Sequence, residues 1–243
     1  DVNVNAANPV VGTRAFGEDP EVVANLSAAM VHGIQGAGIG ATAKHFPGHG
    51  DVGLDSHFDL SIVSHPRERL YAVELRPFRA VIAAGVRAVM TAHVLYPVLD
   101  PERPATLSRP ILDGLLRREL GFGGVIITDA MDMAPVARYG AFESARMALD
   151  AGADLVLLAH LPDQLALVRD TLPATNPEAA ARIHALRVAL DGPLPELDVV
   201  GCAAHRAVAQ TIADRSMTLL RDAGRLPLRP GPDDLIAVIT PAT

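Results

Sequence analysis

Fourteen consecutive residues, Lys44-His45-Phe46-Pro47-Gly48-His49-Gly50-Asp51-Val52-Gly53-Leu54-Asp55-Ser56-His57, hold three histidines, two aspartates, a lysine and three glycines. A packed core has no use for that density of ionisable groups. Asp55 and His57 stand two apart. A carboxylate beside an imidazole orients the ring, raises its pKa and stabilises its cation, which makes a general acid/base pair. A surface loop with a fortuitous Asp-x-His is the alternative. Metal binding is a third reading, since His45, His49, His57, Asp51 and Asp55 carry ligand atoms. The stretch has no helical His-x-x-x-His and no Cys pair, so the expectation is no metal and no cofactor. Gly48, Gly50 and Gly53 allow backbone conformations closed to other residues and read as hinges that let the acid/base approach a site.

Asp129 ends the apolar run Val125-Ile126-Ile127-Thr128. An acid at the carboxyl end of a buried strand points where sites are built, and a carboxylate nucleophile for glycoside cleavage needs that placement. A helix cap or turn residue is the alternative, and Asp132 is the competing acid. Lys44 and His45 also end a strand. Lys44 offers several donors to hydroxyl groups, against a solvated strand end; for His45 the alternative is a satisfied core histidine. Arg14, in Gly12-Thr13-Arg14-Ala15-Phe16-Gly17, could fork onto hydroxyls or a carboxylate, against a loop salt bridge. His93 reads as packed support, while His160, His184 and His205 carry no pattern. Neither a Gly-x-Gly-x-x-Gly after a strand nor a phosphate-binding Gly-rich loop is present.

These residues need elements to hold them. Asp1–Asn5 reads as a strand end and Asn8–Gly17 as a polar loop. Asp19 and Pro20 open a helix that buries Val23, Leu26, Met30 and Ile34 and ends at Gly36. Strands are expected at Ile39–Lys44, Ala88–His93, Val125–Asp129 and Leu155–Ala159. Helices are expected over Pro66–Ala84, broken or kinked at Pro77, then from a Ser108 cap to Gly121, and over Phe142–Asp150, Leu161–Leu172 and Pro177–Leu190. The strands are nearly all apolar, as in a parallel sheet covered on both faces. An eight-stranded barrel missing its first three strands and an open doubly wound sheet both fit. After Asp191 the pattern breaks into helix Cys202–Met217, a Gly/Pro-rich linker from Gly224 to Pro232, and a strand pattern over Leu235–Thr240.

Bulk properties narrow the function. Of 243 residues, 49 % are hydrophobic and 20 % charged, and net charge is −7. Without a basic run, nucleic acid is not the expected partner. No apolar stretch reaches the roughly 18–20 residues that span a bilayer. The lone Cys202 fits a reducing compartment, so a cytoplasmic location is expected. Aromatics are 4 % with no Trp, so a sugar site here depends on polar contacts. The chain opens without Met in strand-like sequence and closes on another strand pattern. Both ends read as cut, giving an internal fragment expected to be poorly stable and inactive alone.

Together these residues resemble glycoside hydrolase family 3, and within it the β-N-acetylglucosaminidase branch. Lys44-His45-Phe46-Pro47-Gly48-His49-Gly50 followed by Asp55-Ser56-His57 is that branch's motif. Gly12-Thr13-Arg14-Ala15-Phe16-Gly17 precedes it and Thr128-Asp129-Ala130-Met131 follows in the same order. Ser216-Met217-Thr218-Leu219-Leu220-Arg221 resembles the lead-in to the family's second domain. The resemblance implies an α/β fold: a TIM-barrel-like (β/α)8 domain lacking its first strands over residues 1–190, a connecting helix and linker over 191–232, and the truncated start of an α/β/α sandwich over 233–243. It implies Asp129 as nucleophile, His57 as acid/base, Asp55 as its partner, and Arg14, Lys44 and His45 as sugar-binding residues. A further aspartate and arginine would come from loops upstream of Asp1. The implied activity is a retaining β-N-acetylhexosaminidase acting on terminal β-linked N-acetylglucosamine in peptidoglycan fragments or chitooligosaccharides. The alternatives are a family 3 β-glucosidase, an N-acetylglucosaminide phosphorylase, and an inactive sugar-binding module.

Overall fold

The computed structural model describes residues 1–53, 59–158, 165–166, 169, 176–193, 195–222, 224, 226–233 and 235. The expected helix Leu161–Leu172 and the terminal strand lie almost wholly outside them. The chain divides into two compact units, Asp1–Gly192 and Pro193–Thr243.

The first unit is α/β. Helix α1 (Pro20–Gly36) starts where expected: the Asp19 carboxylate accepts from the amides of Glu21 and Val22, and Pro20 takes the first helical position. It ends at Gly36, as expected, in a Schellman turn. Gly38 holds φ +81°, its amide bonds the Gln35 carbonyl, and the Ile39 amide bonds Ile34. The buried stripe is Val23, Ala24 and Val31, with Ile34 partly covered. Leu26 and Met30, expected inside, are nearly half exposed. Two overlapping apolar stripes run along α1, and its packing against α3 selects between them.

Strands β1 (Thr42–Phe46), β3 (Ala88–Thr91), β5 (Val125–Ala130) and β6 (Leu155–Leu157) pair in parallel in the order β1-β3-β5-β6. A doubly wound sheet reverses its strand order at a switch point. No reversal occurs among the described strands, which is consistent with the barrel-like reading. A second parallel pair, β2 (Ser61–Ile62) with β4 (Val94–Leu95), was not anticipated. Residues 1–5 join no sheet among the described residues. Instead Val2 is buried, the Asn3 amide bonds the Gly17 carbonyl and the Asn5 amide bonds Gly50.

The expected long helix after Pro66 is two helices, α2 (Arg67–Ala72) and α3 (Leu75–Ala83). The break falls before Pro77, so that Pro77 occupies the first turn of α3, where its missing N–H costs nothing. The element after Ser108 is a π-helix, Pro110–Glu119, closed by Gly121 at φ +69°. A short helix α4 (Ala134–Ala137) precedes α5 (Ala141–Ala151). A last helix, Pro177–Ala189, is capped by Asn176. The core between sheet and helices holds Phe46, Leu70, Leu75, Phe78, Val89 and Leu116. Phe46 and Phe78 meet edge to face at 5.0 Å. In the second unit, helix Ala203–Ser216 is exposed throughout.

Candidate active site

Parallel strands put their carboxyl ends on one side, and the polar residues of the site gather there. Asp129 lies near the end of β5. Its Oδ1 accepts from the Ala130 amide at 2.8 Å, and its Oδ2 lies 3.8 Å from His45 Nε2. About a quarter of its side chain remains accessible. His45 and Lys44 belong to β1, where the register shifts between Ala43 and Phe46.

One residue that the sequence reading passed over organises the β1 end. Asp1 Oδ1 accepts from the backbone amides of His45 and His49, and Oδ2 takes a hydrogen bond from His45 Nδ1 at 2.8 Å. That carboxylate is almost fully buried. A carboxylate only accepts, so Nδ1 carries the ring proton. Burial depresses the His45 pKa to about 3, and the nearby Lys44 and Arg14 charges add to this against the opposing pull of Asp129. The ring is therefore neutral near pH 7. Its Nε2 lone pair faces the Asp129 carboxylate, and two acceptors 3.8 Å apart are complementary to a hydroxyl or amide donor placed between them. The sequence signal for Asp1 was present, namely an acid in a short alternating stretch, but its partners lie 44 and 48 residues away.

His49 is buried beside His45, ring centroids 5.5 Å apart. Burial, then the neighbouring His45, lowers its pKa to about 4. Asn8 donates to the His49 carbonyl at 2.7 Å. Arg14 is exposed and its guanidinium donates to the Val10 carbonyl. Arg14, Lys44 and Asp1 line a cavity of about 200 Å³ whose floor is apolar, with Val31, Phe78 and Val81 in its wall. These three residues thus share one opening beside His45.

His93 backs the site from just past the end of β3. Its Nε2 bonds the Ala130 carbonyl at 2.9 Å, and Nδ1 bonds Thr106 Oγ1 at 2.7 Å. Burial pushes its pKa down. The Thr106 hydroxyl donates to the Ala92 carbonyl at 3.0 Å, and its oxygen lies 2.7 Å from Thr91 Oγ1. The chain Thr91–Thr106–His93 thereby holds the backbone at the end of β5, next to Asp129.

Gly48 and Gly50 permit close approach of neighbouring chain. A Cβ on Gly48 would sit 2.9 Å from Glu74 Cβ, and one on Gly50 only 1.7 Å from the Val2 carbonyl oxygen. Asp55 and His57 lie outside the described residues. Among the described residues, no three His, Cys, Asp or Glu side chains gather as a metal site, and no helix is long and apolar enough to cross a membrane.

Residues 1–188 match the family model of the glycosyl hydrolase family 3 N-terminal domain. The β-hexosaminidase A of Pseudoalteromonas piscicida is 35 % identical over 94 % of this chain and 44 % of its own length. A family 3 β-N-acetylglucosaminidase structure from Paenibacillus sp. str. FPU-7 superposes with a TM-score of 0.82 at 43 % identity, covering 92 % of this chain and 46 % of that one. A β-glucoside phosphorylase structure superposes with a TM-score of 0.84 at 28 % identity, covering 94 % and 46 %. The chain spans about half the length of the curated relatives it matches. On the parallel sheet, the acid at its carboxyl end and the family match over residues 1–188, the chain belongs to glycosyl hydrolase family 3.

Proposed function

We propose that the protein carrying this chain is a retaining β-N-acetylhexosaminidase that releases terminal β-linked N-acetylglucosamine from peptidoglycan fragments or chitooligosaccharides. The observation that carries the reading is Asp129, an accessible carboxylate at the end of a buried strand, 3.8 Å from a neutral histidine. Oδ1 is tied to the Ala130 amide, which supports Oδ2 as the attacking oxygen. Oδ2 forms the bond to the anomeric carbon while the bond to the leaving oxygen breaks. Protonated His57 gives its proton to that oxygen, and a covalent glycosyl-enzyme results. His57, now neutral, takes a proton from water, whose oxygen displaces Asp129 and frees the sugar. Asp55 fixes the imidazole's tautomer and stabilises its cation. Arg14, Lys44 and His45 bind sugar hydroxyls, with His45 Nε2 as acceptor. The hexosaminidase and β-N-acetylglucosaminidase relatives support the N-acetyl preference.

In the full-length protein, Asp129→Ala and His57→Ala should each lower kcat/KM for an aryl N-acetyl-β-glucosaminide by about 10²-fold or more. Near wild-type rates from both would remove the reading. A preference for the aryl glucoside over its N-acetyl analogue would make it a β-glucosidase. Phosphorolysis is the second reading, favoured by the likeness to a phosphorylase and by an imidazole acid/base, which does not repel phosphate as a carboxylate would. Hydrolysis to free sugar is expected; accumulation of sugar 1-phosphate in phosphate buffer would establish phosphorolysis instead.

A further inference from the structure

Side chains unused by this chemistry join the two flanks of the segment that carries Asp55 and His57. On the upstream flank, Asp51 Oδ2 accepts from His65 Nε2 on the downstream flank at 2.5 Å. Arg69 of α2 lies 3.9 Å from the same carboxylate oxygen and 3.2 Å from Glu74. Glu74 is buried and packs against Gly48. Tyr96, fully buried, donates its hydroxyl to the Gly48 carbonyl. Downstream, β2 pairs with β4, and the Val63 amide bonds the Leu95 carbonyl at 2.9 Å. Each flank is therefore fastened to the residues 94–96 strand end, and the Asp51–His65 pair ties one flank to the other. Neither Asp51 nor His65 is needed by the reaction itself.

Resting on the acid/base reading of His57, we infer that the Asp51–His65 pair is a positioning device for proton transfer: it fixes the span from which His57 must reach the leaving oxygen. A tie between positions 51 and 65 closes the chain between them into a loop, and a closed loop has fewer arrangements than an open one. A displacement of about 1 Å is enough to cost about 10²-fold in a reacting group's contribution. Asp51 and His65 act through His57 and touch no substrate.

Leaving-group dependence separates this role from a merely structural one. Departure of 2,4-dinitrophenolate needs no proton, whereas departure of a methoxyphenolate or methoxide does. kcat/KM reports the steps up to the glycosyl-enzyme, so it isolates the acid's part. In the full-length protein, His65→Ala and Asp51→Ala should lower kcat/KM for 4-methoxyphenyl N-acetyl-β-glucosaminide about 10- to 100-fold. The same variants should lower it less than about 3-fold for the 2,4-dinitrophenyl glycoside. The ratio of the two is taken within one preparation, so loss of folded protein cancels. His65→Gln, whose Nε2 keeps a donor near the ring position, should restore the ratio towards wild type. An equal fall for both leaving groups, or no change in the ratio, overturns the inference. His57→Ala is the reference: it should show the same discrimination, and more of it. If His57→Ala discriminates and His65→Ala does not, the acid/base reading stands and the positioning role fails. If His57→Ala itself slows both substrates alike, the acid/base reading fails and takes the inference with it.

Discussion

His45 and His49 are both buried, and their charge states follow from that. Burial holds them to about 3 and about 4, below the ordinary histidine value of 6.5. The sign of the consequence is fixed by linkage. Above about pH 6.5 both are neutral whether the chain is folded or not, and their contribution to stability is constant. Below it, the unfolded chain takes up protons that the folded chain refuses. Stability then falls by up to about 1.4 kcal/mol per pH unit for each histidine, levelling off below the folded values. Between pH 7.5 and 5, above most carboxylate titration, Tm should fall, and His49→Gln should fall less steeply than wild type. Parallel slopes for the two would show that His49 is not buried as a neutral ring. The same neutrality makes His45 Nε2 an acceptor at working pH, which a sugar hydroxyl can use.

At the scale of elements, the site depends on the segment of residues 1–5 pressed against the turn after β1. The Asp1 carboxylate reaches His45 and His49 only because the Val2 carbonyl passes directly over Gly50. Gly50→Ala must push that backbone away, and with it the Asp1 hydrogen bonds. We expect a loss of about 3 kcal/mol or more in urea unfolding, and activity should drop with it. Gly53→Ala is the control: among the described residues its added methyl meets nothing nearer than the Asn5 side chain at 4.0 Å, and stability should stay within about 0.5 kcal/mol. Comparable losses for both would mean that backbone freedom, and not close approach, governs these glycines.

At the scale of the first unit, chemistry and stability occupy opposite ends of the sheet. Asp154 immediately precedes β6 at the amino end of the strands, with its side chain fully buried. It accepts from Arg117, from Arg182 at 2.8 and 3.0 Å, and from the Ile126 amide at 2.8 Å. Arg117 also donates to the carbonyls of Phe122 and Gly124. One carboxylate thus joins β5, β6, the π-helix and helix Pro177–Ala189. Removing it takes the buried counter-charge from Arg117 and leaves Arg182 only the exposed Glu178 at 3.7 Å, and Asp154→Ala should cost about 3 to 5 kcal/mol. Denaturant unfolding measures it, with kcat on the folded fraction unchanged. A cost below about 1 kcal/mol would mean that water replaces the carboxylate.

The sequence alone determined what local chemistry controls. Asp19 capped its helix as read, because the acceptor and the orphan amides lie within three residues of each other. Strand β1 ran two residues past Lys44, to Phe46, and β5 one residue past Asp129, because continuous apolar runs stop close to where polar side chains need water or a ligand. The family was legible from the spacing of the Lys44–His57 motif and Asp129. Tertiary structure alone decided the rest. Which stripe of α1 faces inward depends on α3, not on periodicity. That residues 1–5 leave the sheet and send Asp1 to His45 depends on a contact across 44 residues. The Asp51–His65 pair and the Asp154 node likewise join residues 14 to 37 apart. Such partnerships follow no period, since distant side chains are brought together by packing and not by any repeat in the chain.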